Sequence, residues 1–221
     1  LMILSKRLEY ISSFVDNNSY IADIGSDHGY LPYYLLEKNI AKKIYASDNK
    51  KGPFNNLKTT FLNVNKDLYN LNLVSGIKNL PVDIDTLLIT GMGGDLIIKI
   101  LNDDFDKLKN VNYIILSPQS HIEKVRLFMM NHGYQLIDEG IVFEDKYYHV
   151  LKYKKGQEKL NDLEIEYGPI LLKRKDKLFI DYLNKYLSEI DKILNNENIN
   201  IEKKNKLLNT KKNILEIINE K

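Results

Sequence analysis

One short segment, residues 20–32, constrains the fold more than any other part of the chain. Its sequence is YIADIGSDHGYLP, in which an apolar run ends in an acid and a glycine, and a helical pattern follows a second glycine. This order predicts a buried strand, a tight turn and a helix start, the first βα unit of a nucleotide-binding α/β sheet. Gly25 suits the turn because glycine tolerates positive φ, and Gly29 lets a helix or a ligand approach closely.

The residues of this turn favour a cationic ligand over a diphosphate. A dinucleotide-binding turn carries G-x-G-x-x-G, whereas this chain has G-x-x-x-G with Asp27 in place of the middle glycine. A carboxylate there repels a diphosphate but attracts S-adenosylmethionine, which carries a sulfonium and an ammonium and no phosphate. Asp23 and Asp27 therefore favour a methyl donor over a nicotinamide dinucleotide. The pattern is moderately specific, and an α/β turn without a ligand is the alternative.

Length and composition exclude several classes of protein. A chain of 221 residues can bury one good core and a small second unit. The absence of cysteine rules out disulfides and thiolate metal sites, and it fits a reducing cytosol. No signal-peptide pattern and no apolar run long enough for a bilayer is present. We therefore expect a cytoplasmic protein with no metal and no membrane contact.

Strands and helices alternate through the first two thirds of the chain. A helical stripe over residues 4–15, with Ser5 as its cap, is expected to lie beneath the sheet and close the ligand pocket. Further helices are predicted near residue 31, at 54–64 and after a capping box at 120–123. Strands are predicted at residues 43–48, 71–76, 85–90 and 111–119, and an antiparallel pair at 134–138 and 147–153. The continuous apolar run at 85–90 is typical of a parallel strand buried on both faces.

Candidate ligand residues follow the ends of these strands, where open α/β sheets bind their ligands. Asp48 ends the second strand, 23 residues after Gly25, which is the usual position of the carboxylate that binds ribose hydroxyls. An exposed loop aspartate is the alternative. Gly76 and Ile77 follow the third strand, where an adenine ring would be contacted. Gln119 ends the fifth strand and offers a donor and an acceptor to a base edge.

A glycine-rich turn follows the fourth strand. Gly91, Met92, Gly93 and Gly94 place three glycines within four residues, and they leave little side-chain bulk beside the expected cleft. A substrate slot is therefore favoured over a merely flexible turn. His121 falls in the first turn of a helix, and we interpret it as a surface residue and not as a base.

The pattern changes after about residue 160. Two amphipathic stripes, over residues 179–194 and 201–218, predict an antiparallel helical hairpin that is too short for sustained heptads. Residues 151–221 carry a net charge of +4, against −2 for residues 1–150. Such an excess is often only a solvated helical face. The predicted domains are therefore residues 1–156, a Rossmann-like domain, and residues 157–221, a helical domain.

Four motifs together resemble the signature of bacterial tRNA (adenine-22-N1)-methyltransferases. They are ADIGSDHGYLP at residues 22–32, ASD at 46–48, GMGG at 91–94 and SPQ at 117–119. The final hairpin resembles the C-terminal coiled-coil domain of that family, so the likeness covers nearly the whole chain. The resemblance implies a Rossmann-like class I methyltransferase sheet with a C-terminal coiled-coil hairpin. It also implies methyl transfer from S-adenosylmethionine to N1 of adenine 22 in tRNA.

The resemblance and the strand-end positions together assign roles to individual residues. Donor binding is expected from the turn and strand-end residues Asp23, Gly25, Ser26, Asp27, His28, Asp48, Asn49, Gly76, Ile77, Gly91 and Met92. Contact with the target base is expected from Tyr30, Gly93, Gly94 and Gln119. We expect a monomer whose basic hairpin binds tRNA. A methyltransferase acting on another RNA, a protein or a small molecule, and an inactive donor-binding module, are the alternatives.

Overall fold

The computed structural model describes residues 2–196 and 199–220. The chain forms two compact units, Leu1–Lys159 and Leu160–Lys221. The first unit contains the sheet and the second unit contains only helices among its described residues.

A seven-stranded sheet organises the first unit, in the order β3-β2-β1-β4-β5-β7-β6. The five strands β1 to β5 are parallel, whereas β7 runs antiparallel to both β5 and β6. This is the Rossmann-like sheet that the sequence predicts. The strands are β1 Ser19–Ile24, β2 Ala41–Asp48, β3 Tyr69–Leu73, β4 Thr86–Thr90, β5 Tyr113–Ser117, β6 Tyr134–Phe143 and β7 Tyr147–Lys155.

Among the described residues of the first unit, five α-helices accompany the sheet: α1 Lys6–Ser12, α2 Tyr30–Glu37, α3 Lys51–Thr60, α4 Gly94–Asp103 and α5 Ile122–Asn131. Every residue of β1 is buried, as expected for a central parallel strand with both faces covered. Because β1 lies between β2 and β4, the chain reverses its direction of winding at β1. The crevice outside the carboxyl ends of these strands is where such sheets bind ligands.

Helix α1 begins as the sequence predicts. Ser5 is its N-cap, and the Ser5 hydroxyl accepts a hydrogen bond from the Leu8 amide at 3.4 Å. Ile11 is fully buried in the core beneath the sheet. Tyr10 lies against Gly140 of β6, where a β-carbon would be 3.0 Å from the Tyr10 Cζ atom. The missing side chain of Gly140 therefore lets α1 pack closely on β6.

Two predicted helix starts are wrong. The capping box at Ser120 does not form: His121 is the N-cap of α5, its φ is 52°, and no side chain caps the helix. The Ser120 carbonyl instead accepts a hydrogen bond from the Gly94 amide at 2.9 Å. Helix α3 begins three residues before the predicted start, because Pro53 fits the first turn of a helix.

The second unit has four helices among its described residues: α6 Asp162–Tyr167, α7 Pro169–Arg174, α8 Lys177–Leu194 and α9 Ile201–Asn219. The two long helices match the two predicted stripes. Lys211 pairs with Asp191 at 2.6 Å, and Lys175 donates to the Glu220 carbonyl at 2.9 Å. The first contact joins the end of α8 to the middle of α9, and the second joins the residue that caps α7, just before α8 begins, to the end of α9. The two long helices therefore run antiparallel. Residues 197 and 198 of the predicted break lie outside the described residues.

The sequence patterns do not predict the short helices α6 and α7. Each has six residues, too few for an amphipathic period to be visible in the sequence. Asn161 and Glu164 form a reciprocal capping box at the start of α6. Within the described ranges, no helix combines the length and apolarity needed to cross a bilayer, and no group of three metal-ligating side chains occurs.

Candidate active site

The turn after β1 brings two acids to the carboxyl edge of the sheet. Asp23 is the penultimate residue of β1 and is 3% exposed. Gly25 and Asp27 both have positive φ, at 73° and 49°. The amides of Gly25 and Ser26 donate to the Ser47 carbonyl at 2.8 and 3.0 Å, which fixes the turn on β2. The chain therefore turns sharply and holds both carboxylates beside the crevice.

Two cavities, of about 340 and 420 Å³, lie at this edge of the sheet. They share Gly25, Asp27 and Met92. The other residues of the first cavity are Arg7, Leu8, Asp23, Ser26, His28, Tyr30, Leu31, Thr90, Gly91 and Gln119. The other residues of the second cavity are Ile24, Asp48, Asn49, Lys50, Pro53, Val74, Ser75, Gly76, Leu96 and Ile100.

Met92 packs against Gly25, and both residues line both cavities. A β-carbon on Gly25 would collide with the Met92 methyl and lie 3.8 Å from its sulfur. Glycine is therefore needed at this position both for its positive φ and for the space that the Met92 side chain occupies.

The electrostatics of the first cavity favour a cation. Burial raises the pKa of Asp23 to about 6, the Ser26 side chain opposes this shift, and the nearby Asp48 carboxylate adds to it. A bound cation beside Asp23 would reverse this shift, because an opposite charge favours the ionised carboxylate. The site therefore gains most from a positively charged ligand.

Asp48 is held in place at the second cavity. It is 7% exposed, and its two carboxylate oxygens accept hydrogen bonds from the amides of Lys50 at 2.9 Å and Asp27 at 3.3 Å. Each carboxylate oxygen has a second lone pair, so Asp48 can still accept from two hydroxyls of a ribose. Val74, Leu96 and Ile100 give the same cavity an apolar side that suits an adenine ring.

Arg7 of α1 supplies a cation that sequence reasoning missed. Its side chain lines the first cavity, and its guanidinium lies over the Tyr148 ring, 5.0 Å from the ring centroid. Within residues 2–196 and 199–220, no carboxylate forms an ion pair with Arg7. The apolar pattern of α1 predicted that this helix closes the pocket. Nothing in the sequence shows which polar side chain of the helix faces the cavity.

An aromatic pair stands at the first cavity. The rings of His28 and Tyr30 are stacked, with centroids 5.1 Å apart and an interplanar angle of 15°. Tyr30 is 45% exposed, so its ring is accessible from solvent. Gln119 lines the same cavity, and its backbone amide donates to the Met92 carbonyl at 2.9 Å. The structure thus brings Tyr30, Gln119 and the donor-site candidates of β1 together.

Three predicted site residues lie outside both cavities. Gly94 packs against the loop before α5: a β-carbon there would be 2.5 Å from the Ser120 carbonyl oxygen and 2.7 Å from that of His121. Gly93 is the N-cap of α4, and its β-carbon would lie 3.1 Å from the Ser120 hydroxyl. Ile77 is fully buried in the interior. The open glycine beside the first cavity is therefore Gly91, and Gly94 serves helix packing.

The groups around the two cavities match the parts of S-adenosylmethionine. Asp23 and Asp27 suit its ammonium and sulfonium, and Arg7 suits its carboxylate. Asp48 suits its ribose, and the apolar residues of the second cavity suit its adenine. Each charged group of the ligand thus has a side chain of opposite charge at the first cavity.

Comparison with known proteins shows the family of this chain. A family described as "Methyltransferase domain" matches residues 4–151. The tRNA (adenine(22)-N(1))-methyltransferase of Bacillus subtilis (strain 168) is 34% identical over 194 residues, which cover 80% of this chain and 78% of that protein. The chain belongs to the family of tRNA (adenine(22)-N(1))-methyltransferases. This confirms the resemblance drawn from the four sequence motifs.

Solved structures of tRNA (adenine(22)-N(1))-methyltransferases and similar proteins share the whole fold. The B. subtilis M1A22 tRNA methyltransferase TrmK has a TM-score of 0.88 and 29% identity, and covers 99% of this chain and 100% of that one. M. capricolum TrmK, in complex with the natural cofactor product S-adenosyl-homocysteine, has a TM-score of 0.86 and 31% identity, and the match covers 98% of both chains. A Streptococcus pneumoniae protein in complex with S-adenosyl-L-methionine has a TM-score of 0.90 and 30% identity. The match covers 98% of this chain and 100% of that one.

Proposed function

We propose that the protein transfers the methyl group of S-adenosylmethionine to N1 of adenine 22 in the D-loop of tRNA. The main observation is the pair of adjacent cavities, with Asp23, Asp27 and Arg7 lining the first and Asp48 lining the second. Membership of the tRNA (adenine(22)-N(1))-methyltransferase family supports the substrate. The structures with S-adenosyl-L-methionine and S-adenosyl-homocysteine support the donor.

The chemistry at adenine N1 makes modest demands on the protein. N1 has an in-plane lone pair and carries no proton at neutral pH, so no base has to remove one before attack. When bound, S-adenosylmethionine supplies an electrophilic methyl group on its sulfonium. The residues of the site then have to orient the base for in-line attack and exclude water. The first cavity fits this need, because it offers the base an aromatic ring, a glycine and an amide.

The target base has a proposed position beside the donor. N1 lies on the Watson–Crick edge, so a stacked or paired adenine must leave its helix before it can react. The exposed Tyr30 ring, backed by His28, offers a stacking surface. Gly91 leaves room beside it, and Gln119 offers an amide to the base edge. We therefore assign the base slot to Gly91 and Met92 in place of the predicted Gly93 and Gly94.

We assign tRNA binding to the second unit. Lys203, Lys204 and Lys206 are exposed on α9, where they can contact phosphates. In the other basic cluster, Arg174 pairs with Asp176 at 2.6 Å, and Lys175 lies 3.6 Å from Glu220. The α9 lysines are thus the better candidates. We also propose that the protein is a monomer and acts in the cytoplasm, where its tRNA substrate occurs.

The decisive experiment maps the methylated nucleoside. The protein is incubated with S-adenosylmethionine and an unmodified tRNA, and the RNA is digested and analysed by mass spectrometry. We expect 1-methyladenosine at position 22, and no product from a matched tRNA with guanosine at that position. Methylation at another site would indicate a different RNA specificity. Donor binding without methylation of any tRNA would favour an inactive binding module or another class of substrate.

A further inference from the structure

Tyr148 of β7 contacts the only arginine that lines the first cavity in the described part of the chain. The Arg7 guanidinium lies 5.0 Å from the Tyr148 ring centroid. The Tyr148 side chain is nearly buried, at 8% exposure, whereas Arg7 is partly exposed. The ring is thus a fixed surface against which a flexible cation rests.

A hydrogen bond fixes the position of the Tyr148 ring and raises its electron density. Its hydroxyl donates a hydrogen bond to the Asp145 carboxylate at 2.9 Å. A hydroxyl that donates to an anion makes its ring more electron-rich, which strengthens the attraction of a cation over the ring face. The Lys146 ammonium also lies over this ring, 5.1 Å from its centroid. Tyr148 is therefore placed to attract cations, and Arg7 is the one that faces the cavity.

The packing of α1 points Arg7 in the same direction. Tyr10 lies on Gly140 of β6, one turn of α1 away from Arg7. Tyr148 pairs with Val142 of β6 in the antiparallel ladder, so both contacts of α1 are made on adjoining strands. The two strands therefore seat α1 in one orientation, with the Arg7 side chain between the Tyr148 ring and the cavity.

We propose that Tyr148 is a positioning residue for donor recognition, holding Arg7 where it binds the α-carboxylate of S-adenosylmethionine. The inference rests on the proposed function, since it assigns one end of the donor to Arg7. Tyr148 does not line either cavity, and it acts through Arg7 alone. Its effect is therefore on which donors bind, and it depends on the presence of a carboxylate.

The test compares two donors that differ in one group. Decarboxylated S-adenosylmethionine keeps the sulfonium, the ammonium and the adenosine but lacks the α-carboxylate. The affinities of both compounds are measured by calorimetry for the wild type, Arg7→Met, Tyr148→Leu and Tyr148→Phe. We expect Tyr148→Leu to lower the affinity for S-adenosylmethionine about tenfold. Tyr148→Phe should lower it about twofold, and both changes correspond to the usual size of cation–π energies. The decarboxylated compound should bind all four proteins equally.

Two further variants sharpen the result. Arg7→Met combined with Tyr148→Leu should bind S-adenosylmethionine no more weakly than Arg7→Met alone, because Tyr148 acts through Arg7. Lys146→Ala, which removes the other cation from the ring, should leave the preference between donors unchanged. If Tyr148→Leu does not fold, Tyr148→Phe alters a single oxygen and must still shift the preference.

An equal loss of affinity for both donors would show that Tyr148 merely supports the cavity, and it would overturn the inference. Unchanged affinities in the folded variants would overturn it as well. Wild-type protein that binds S-adenosylmethionine but methylates no tRNA would refute the proposed function alone. Wild-type protein that binds neither donor would refute both.

Discussion

The Asp27 amide donates a hydrogen bond to the Asp48 carboxylate at 3.3 Å. This bond joins the turn after β1 to the end of β2. It connects a residue that lines both cavities, Asp27, to the acid of the second cavity, Asp48. The second oxygen of Asp48 accepts from the Lys50 amide at 2.9 Å. Asp48 therefore positions both sides of the site while keeping lone pairs for a ligand.

Asp48→Ala should weaken the binding of S-adenosylmethionine by about 1–3 kcal/mol, the usual result of leaving polar groups unpaired in a closed site. Calorimetry on the folded variant measures this change. Asp67→Ala, which removes an exposed acid from the same unit, is the matched control. An Asp48→Ala protein with wild-type affinity would remove Asp48 from the donor site.

Asp23 should link pH to both stability and donor binding. Its pKa rises from 3.8 in the unfolded chain to about 6 in the fold because it is buried. The stabilisation by protonated Asp23 is thus fully present below about pH 4 and is lost as the pH rises through about 6. At pH 8, Asp23→Asn should therefore be more stable than the wild type by roughly 1–3 kcal/mol. Urea unfolding at pH 4 and pH 8 measures this, and an equal effect at both pH values would contradict it.

The same carboxyl should make donor affinity depend on pH. A cationic donor needs ionised Asp23, so wild-type affinity should fall as the pH drops below about 6. Asp23→Asn should bind the donor weakly at every pH and show no such fall. Calorimetry between pH 5 and pH 8 tests this, and a flat profile in the wild type would show that Asp23 does not face the cation.

The sequence predicted the sheet well because its signals are local. The order of residues 20–32 determines a strand, a turn and a helix through chain geometry alone, and Asp48 follows from its distance along a βαβ unit. The antiparallel pair β6 and β7 was visible from alternation. These features need no knowledge of which distant residues meet.

Features that depend on contacts between distant segments cannot be predicted from sequence patterns. In the sequence, Gly93 and Gly94 suggest a substrate slot. In the structure, position 94 needs a glycine because the carbonyl oxygens of Ser120 and His121, 26 and 27 residues later, leave no room for a β-carbon. Arg7 was missed for the same reason, since its guanidinium lies over the ring of Tyr148, a residue of β7 that is distant in the sequence. A glycine or an arginine in a sequence does not reveal which neighbour it will meet.

Gly94→Ala should destabilise the protein by about 1–3 kcal/mol, because the added methyl group overlaps two carbonyl oxygens. Donor affinity of the folded fraction should not change, since Gly94 lies outside both cavities. Gly52→Ala is the matched control: nothing lies within 4 Å of its β-carbon, and it stands in a helix, where alanine is favoured. A stable Gly94→Ala protein without methylation activity would favour a base slot at Gly93 and Gly94 after all.

Reversing Lys203, Lys204 and Lys206 to glutamate should weaken tRNA binding and flatten its salt dependence. If the three amines neutralise phosphates, the slope of log affinity against log salt should fall by roughly 0.7–0.9 for each phosphate that is no longer neutralised.

Reversing Lys66, Lys78 and Lys99, three exposed lysines of the first unit, changes the net charge equally and serves as the matched control. Donor affinity should be unaffected in both triple variants, because none of these lysines lines either cavity. Equal reductions of tRNA affinity in the two triple variants would show that only overall charge matters, and unchanged binding in the α9 variant would mean that these lysines form a solvated face.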